Sequence, residues 1–546
     1  MSPVELSHAP APATGVPAWM DGGERLLCGW GRTAPARARI LRPRGGEQVA
    51  QALAVAAAAG GTIARGAGRS YGDAAQNGGG TVIDATALAG AIKLLDNRVE
   101  APGGPAGEEL PRADAADSGR RAPATRVSRL RACVGAGVSF APLLTWLAAR
   151  GLTLPVVPGT RHLTVGGAIA ADVHGKSHPC DGSFARHVES IVLCTPADGP
   201  RTVSRDCDPE LFHATLGGMG LTGVVIAATL RLAPLRNPRA LADIDRLDTL
   251  EQALALMSGT QHHRYAIAWL DLLAPGRAFG RGVLTRSEEA PAREDGGGGV
   301  GVASHRSTAR VAADTRVRPG AQWTACARPP VLARAAAHMR ASDRGHQPFA
   351  LRPMLTVPPG FPGGVLRPAA VRAFNALHWH AAPRRARGRT LSMSAQLFPL
   401  DALGQWSRLY GPAGMVQYQF ALPRGREEAL LRVVHLLRVR RAPMYLAALK
   451  RFGPAGAGTL SFPLEGLTLA IDLPAGAPGL ARALDDADEL VAGAGGRVYL
   501  AKDSRLRPAT LAAMYPQLER FRELRGRVDP DGVLRSDLGR RLGLCT

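Results

Sequence analysis

The sequence predicts a globular chain of two domains in which helices and strands succeed one another without Rossmann βαβ units. Three observations carry this. At 546 residues with 46% apolar side chains, the chain is long enough for two domains and a large buried core. Residues 61–84 read as strand (GTIAR), glycine loop, glycine turn (AAQNGGG) and strand (TVID), with no helix between the strands. Residues 208–232 reverse the Rossmann order, giving a helix (DPELFHATL), then GMGLTG, then a strand (VVIAATLRL). The G-x-G-x-x-G spacing of Gly218 to Gly223 therefore lacks the strand before it and the helix after it that a dinucleotide fingerprint needs.

The remaining elements follow in order. EQVAQALAVAAAAG is a helix leading into GTIAR, and a further strand reaches Lys93 to Arg98. Residues 100–125 carry Pro, Gly and charge without apolar period, and read as a disordered insertion. The strand LRACVGAG and the helix FAPLLTWLAARG come next. Beyond Ala233 the segments are longer and mixed, with a second insertion, rich in glycine, at about 287–319. A helix at Glu427 to Arg440, a strand at Leu467 to Leu473 and a C-terminal amphipathic helix complete the reading.

Two glycine-rich blocks dominate: RGAGRSYGD at Arg65 to Asp73, and GTRHLTVGGAIAADVHGKSH at Gly159 to His178. Glycine admits positive φ and close approach to the main chain, so successive N–H groups can converge on one anion. Two such loops point to the diphosphate of a large dinucleotide.

The formal charge of +22 is spread along the chain, and its local clusters, PRRARGR and RVRR, lack aromatic interleaving. Nucleic acid is not expected; solvated faces are the plain reading, with an anionic membrane surface or a phosphate-bearing substrate beside it. Of 67 basic residues only Lys93, Lys176, Lys450 and Lys502 are lysine. Where lysine persists, a compact ammonium with a tunable pKa is implied, and the last three sit in HGKSH, LAALKRFGP and YLAKDSR. Seven dispersed cysteines without C-x-x-C suggest reduced thiols in a cytoplasmic setting. MSPVELSHAPAPATGVPAWM has no signal-peptide core, and no run of eighteen apolar residues occurs. His262-His263 and His378-Trp-His380 lack ligand spacing with acidic company, so no metal is expected.

RGAGRSYGDAAQNGGG, VPGTRHLTVGGAIAADVHGKSH, LFHATLGGMGLTG, YGPAGMVQYQF and AKDSR, in this order, resemble the vanillyl-alcohol-oxidase-type flavoproteins with a PCMH-type FAD-binding domain. Among these the chain is most similar to the branch that oxidises the pentose of a polyprenyl phosphate in arabinan-precursor synthesis. The resemblance runs from about Trp30 to Leu544 outside the two insertions. It implies an α+β fold: an FAD-binding domain at 18–236, a substrate domain with an antiparallel sheet at 237–496, and a segment at 497–546 returning to the first.

It also implies site residues. Arg65, Gly66, Ala67, Gly68, Arg69, Ser70, Tyr71, Gly72 and Asn77 would hold FAD from the first block. Gly159, Thr160, Thr164, Gly166, Gly167, Ala168, His174 and Gly175 would do so from the second, with Gly223 and Val224 approaching as a turn. Arg69 stands where related sugar oxidases carry a histidine bonded covalently to the flavin, which implies noncovalent FAD. The reaction implied is oxidation of a secondary alcohol, with C2 of the ribose becoming a ketone for a short-chain-dehydrogenase-type reductase acting next. A base takes the hydroxyl proton as hydride passes to flavin N5.

Lys502, His174 and Tyr71 are the catalytic candidates, and Lys176, Trp269, Gln417, Gln419, Lys450 and Lys502 the substrate-binding ones. Lys502 is read as contacting the sugar hydroxyl or flavin, or as pairing with Asp503; Lys450 as holding phosphate, or as solvated. His174 is read as base, as orienting group or as a member of the flavin loop, and Tyr71 as packing on the flavin or transferring a proton. Gln417 and Gln419 alternate on a strand and so share a face. Ala470, Thr468 and Leu397 replace a cysteine, an asparagine and a tyrosine of that branch, which leaves an alditol or aldonolactone oxidase as the second reading. A basic membrane- or nucleic-acid-binding protein without redox role is the third.

Overall fold

The computed structural model describes residues 17–20, 22–95, 130–291, 349, 353–362 and 365–545. The insertion expected at 100–125 lies outside these residues, as does 292–319 of the second. The second insertion starts too early at 287: Ser287–Glu289 complete a strand, where Ser287 is 1% exposed and accepts a hydrogen bond from Gln396 Nε2 at 2.7 Å.

The first sheet contains β1 (Glu24–Leu27), β2 (Ala36–Leu41), β3 (Thr62–Arg65) and β4 (Thr81–Asp84), ordered β1-β2-β4-β3. Helix α1 (Gly46–Ala57) connects β2 to β3 and buries Val49, Ala52, Leu53 and Ala56, the spacing of one helical face. β3 and β4 are parallel, yet the crossover between them is the first glycine block rather than a helix. The sheet is extended by a distant segment: Thr62 donates to Val533 O and accepts from Arg535 N, each at 2.7 Å, with Leu534 bridged in parallel beside it.

The second sheet contains β5 (Lys93–Leu95) and β6 (Arg131–Gly135), and after the short β7 (Leu152–Thr153) come β8 (Val188–Thr195), β9 (Gly199–Ser204) and β10 (Val224–Arg231). Its order is β5-β6-β10-β8-β9, antiparallel throughout, and β7 pairs with β11 (Ala233–Pro234). Helix α2 (Phe140–Ala148) buries Phe140, Leu143, Leu144 and Leu147, and α3 (Val165–Ala170) lies within the second glycine block.

The third sheet has eight strands: β12 (Arg239–Leu247), β13 (Tyr265–Leu270), β14 (Gly282–Glu289), then, past β15 (Leu355–Thr356), β16 (Arg385–Ser392). Past β17 (Leu403–Gly404), the partner of β15, come β18 (Met415–Pro423), β19 (Leu446–Phe452), β20 (Gly466–Pro474) and β21 (Arg497–Val498). The order β16-β12-β14-β13-β19-β20-β18-β21 is antiparallel throughout. The helix Glu427–Val439 is buried through Leu430, Val433, Val434 and Leu437, each worth about 1.5–3 kcal/mol of apolar burial. The fold is thus mixed α+β with antiparallel sheets predominating. Among the described residues no helix is long and apolar enough to cross a membrane.

Candidate active site

A cavity of about 570 Å³ lies where the two glycine blocks meet β18, β19 and β20. Backbone bonds hold the first block against two other segments: Trp30 N donates to Ser70 O at 2.7 Å, Gly31 N to Tyr71 O at 2.9 Å, and Tyr71 N to Ala501 O at 2.9 Å. Gly66 through Tyr71 line the cavity. Gly68 has φ +63, a conformation glycine adopts without strain, and a Cβ on Gly66 would collide with Thr164 Oγ1 of the other block. The Arg69 guanidinium stacks 4.1 Å from the Trp30 ring centroid, and its buried Nε has no protein partner.

The second block is fastened by Asp401, which accepts from Thr160 Oγ1 at 2.7 Å and from Arg161 N at 3.0 Å. Thr164 caps α3 by accepting from Gly167 N, so Gly166 and Gly167 turn into the cavity wall at a helix start. Past α3 the block bends at Asp172 (φ +38) and delivers His174, Gly175 and Lys176 to the same wall. The Gly217–Gly223 segment, between the helix Pro209–Thr215 and β10, adds Met219, Gly220 and Gly223, so it is a turn and not a Rossmann loop.

The opposite wall is set by strand register. Gln417 faces Asp472 and Gln419 faces Ala470 across β18 and β20, while Leu446, Ala448 and Lys450 of β19 face Asp472, Ala470 and Thr468. Directly opposed residues point to one side of a sheet, so these side chains form a single surface. Gln417 Nε2 donates to Asp472 Oδ1. Gln419 Nε2 donates to His174 Nε2 and to Thr468 Oγ1, both at 3.2 Å, and Thr468 passes its own proton to Phe420 O. Both amide hydrogens of Gln419 are consumed, leaving its carbonyl oxygen as the group it can offer a ligand.

The lysines are cationic groups short of protein partners. Lys502 Nζ stands 3.6 Å from the Tyr71 ring centroid, and among the described residues no carboxylate lies within ion-pair distance of it. Asp503 is engaged instead by Arg541 at 2.9 Å. Lys450 likewise has no ion pair or hydrogen bond, and Lys176 donates to Gln396 O. Burial, and for Lys176 also the neighbouring Lys450, lowers the ammonium groups of Lys176 to about 7 and Lys450 to about 8. His174 packs among Phe452, Phe462 and Tyr499, with ring centroids 4.7, 5.6 and 5.2 Å away. Burial, then Lys450, His178 and Lys502, hold this imidazole well below its usual pKa and so neutral. Burial and the charge of Asp472 keep Tyr71 a phenol.

Several nominated residues stand elsewhere. Asn77 is buried off the cavity, donating to Gly61 O at 2.9 Å and accepting from Arg540 Nη1, because it closes the glycine turn. Arg65 braces the block from behind through Cys28 O at 2.7 Å and Ala75 O at 2.9 Å. Gly72 gives room to Asp503 O, Ala168 is buried in α3, and Val224 packs under α1, so none of the three lines the cavity. Trp269 faces Ala448 across β13 and β19, yet it packs on His378 at 4.6 Å, and Ile267 takes the cavity position. Asp472, Asp401, His162 and Trp406 line the cavity without having been singled out. For Asp472 a signal existed: it is the only charge in LTLAIDLP and shares a strand face with Ala470 and Thr468. Among the described residues no His, Cys, Asp and Glu cluster suits a metal.

Residues 37–203 match the FAD binding domain family model, and residues 477–542 match that of D-arabinono-1,4-lactone oxidase. The chain is 34% identical over 525 residues to decaprenylphosphoryl-β-D-ribose oxidase of Mycolicibacterium smegmatis, covering 95% of this chain and 98% of that protein. It is 40% identical over 407 residues to an uncharacterized Streptomyces coelicolor protein, covering 72% and 96%. An L-galactono-1,4-lactone dehydrogenase of Arabidopsis thaliana matches at 32% over 139 residues, 25% of this chain and 22% of that one.

Proposed function

Because the chain belongs to the decaprenylphosphoryl-β-D-ribose oxidase family of FAD-dependent oxidoreductases acting on sugar hydroxyls, we propose that it oxidises C2 of a polyprenylphosphoryl ribose to the 2-keto sugar. The observation that carries the substrate class is Lys450, a half-buried ammonium without a partner among the described residues, joined in the same wall by Lys176 and Lys502. A phosphate is the anion such a cluster suits.

The residues present fit FAD. Glycines of both blocks meet where a side chain would fill the space, and the unpartnered Arg69 and the backbone at Gly166 and Gly167 suit a diphosphate. Met219, Val225, Ala170 and Ala171 offer apolar walls for a ring system. Bound FAD supplies the two-electron acceptor. Around it, Gln417 and Gln419 orient the sugar, Lys450 and Lys176 hold the phosphate, and Lys502 keeps positive charge beside the reacting carbon. His174 serves as an orienting group through Gln419 rather than as a base. Arg69 in place of a linking histidine supports noncovalent attachment. We assign 18–236 with 497–546 to an FAD-binding domain and 237–496 to a substrate domain. A short-chain-dehydrogenase-type reductase would consume the ketone, in the cytoplasm at an anionic membrane surface.

The match of residues 477–542 to a lactone oxidase, with Ala470 and Leu397 in the wall, favours an alditol or aldonolactone as the second reading. A role without redox chemistry falls with the family membership. Anaerobic mixing with a short-chain prenylphosphoryl ribose is expected to bleach the flavin band, and acid precipitation to leave FAD in the supernatant. Bleaching by alditols alone would overturn the substrate, and flavin in the pellet the noncovalent link.

The pH dependence follows from linkage. A bound phosphate raises the pKa of Lys450, so affinity is fully present below about 8 and falls as pH rises through that value. Lys450→Gln is expected to raise KM for the phosphorylated substrate about 10–100-fold and to remove that decline, as read from KM against pH.

A further inference from the structure

We propose that Asp472 is the catalytic base, accepting the hydroxyl proton of the substrate on Oδ2. The inference rests on the proposed oxidation of a secondary alcohol, not on which alcohol is used.

Asp472 lies in the middle of an apolar strand, is 1% exposed, and lines the cavity. Its two oxygens are used differently. Oδ1 accepts from Gln417 Nε2, which fixes the carboxylate plane, whereas Oδ2 is buried without a hydrogen-bond partner among the described residues. A buried acceptor left without a donor is destabilised unless a ligand brings the donor, and an alcohol O–H is such a donor.

The other candidates in the wall are engaged or unsuited. His174 Nε2 is taken by Gln419; its Nδ1 also has no partner among the described residues, but burial in an aromatic cage holds the imidazole well below its usual pKa and makes it a poor base, and Tyr71 is held as a phenol. Asp401 is committed to Thr160 and Arg161. Lys502 sits over the Tyr71 ring; burial lowers its ammonium to about 7, with Asp472 opposing and Lys450 adding to this, so Asp472 is the anion that favours its protonated form.

In the step, the substrate O–H bond breaks and its proton joins Oδ2. The carbinol hydrogen would leave with the electron pair of its C–H bond, as hydride, to bound FAD, and the C–O single bond would become C=O. The substrate loses two electrons and FAD gains them. The titratable groups that act on the carboxylate are Lys502 from the 499–503 turn, Tyr71 from the first block, and Tyr410. Burial raises the carboxyl well above the usual range, with Gln417 and Lys502 acting against this, so it titrates where a base is useful.

The test is anaerobic stopped-flow reduction of the FAD holoenzyme across pH, using whichever secondary alcohol bleaches the wild-type flavin. Failure of the substrate reading then appears in the wild-type protein, and failure of this one only in the variants. Asp472→Asn is expected to keep FAD, shown by its visible spectrum, and to reduce it about 10²–10⁴-fold more slowly, without the rise on the acid limb. Asp472→Glu should restore part of the rate together with that limb, which a packing role would not do. Reduction by Asp472→Asn within about threefold of wild type with an unchanged pH profile would overturn the proposal. Equal rates for the Asn and Glu variants would do the same.

Discussion

Lys502→Met is expected to slow anaerobic flavin reduction about 10²–10³-fold while leaving FAD bound. The substitution keeps the length of the side chain and removes its charge. In the native protein that charge is held without a counter-ion in contact, 3.6 Å from the Tyr71 ring centroid and fronting the cavity. An ammonium kept in place before electrons arrive stabilises the negative charge that develops, with no reorganisation at the moment of reaction. Burial lowers its pKa to about 7, with Asp472 opposing and Lys450 adding to this, so the rate gain from its charge is largest below that pH. The measurement is the rate of bleaching with saturating substrate, beside the flavin absorbance of the resting protein. A rate within about threefold of wild type would mean that Lys502 is only a spacer.

Arg541→Ala is expected to destabilise the folded protein by about 2–3 kcal/mol and to weaken FAD retention. Arg541 binds Asp73 through two hydrogen bonds, at 2.8 and 2.9 Å, meets Asp503 Oδ2 at 2.9 Å, and donates to Leu506 O at 2.8 Å. The side chains of Asp73 and Asp503 are 9% and 3% exposed, so the substitution removes the Asp73 donors and leaves Asp503 only the amides of Arg505 and Leu506. The guanidinium itself is 23% exposed, which places the effect below that of a fully buried pair. Asp73 ends the first glycine block and Asp503 follows Lys502, so both flank the cavity. Thermal unfolding followed by release of flavin fluorescence reads both effects. An unchanged midpoint would show that Asp73 and Asp503 find other donors.

The glycine blocks were legible in the sequence because positive φ and close approach impose a residue type. Their separation from the Rossmann pattern was legible because helix and strand order can be read locally. Gln417 and Gln419 followed from the family resemblance, and strand period added only that they share a face. Asp472 did not, because its meaning depends on the register of three strands and on a partner, Gln417, 55 positions away. Asn77 and Arg65 were drawn into the site by their place in a motif, whereas their hydrogen bonds serve the turn and the base of the loop. Trp269 lay on the expected face but one strand from the wall, a distinction that residue spacing does not contain. Asp401 works through backbone and hydroxyl contacts to residues some 240 positions away, and nothing near it in the chain announces that.

The pairing of Thr62 with the segment at Leu534 also constrains the order of folding. β3 carries the first glycine block, and its free edge is covered only when residues more than 460 positions later have been synthesised. Loop-closure entropy makes such a contact late, because the intervening chain must first become compact. The cofactor loop therefore gains its final support near the end of folding, and a ribosome-bound chain that stops before residue 534 should hold FAD poorly even with both glycine blocks formed.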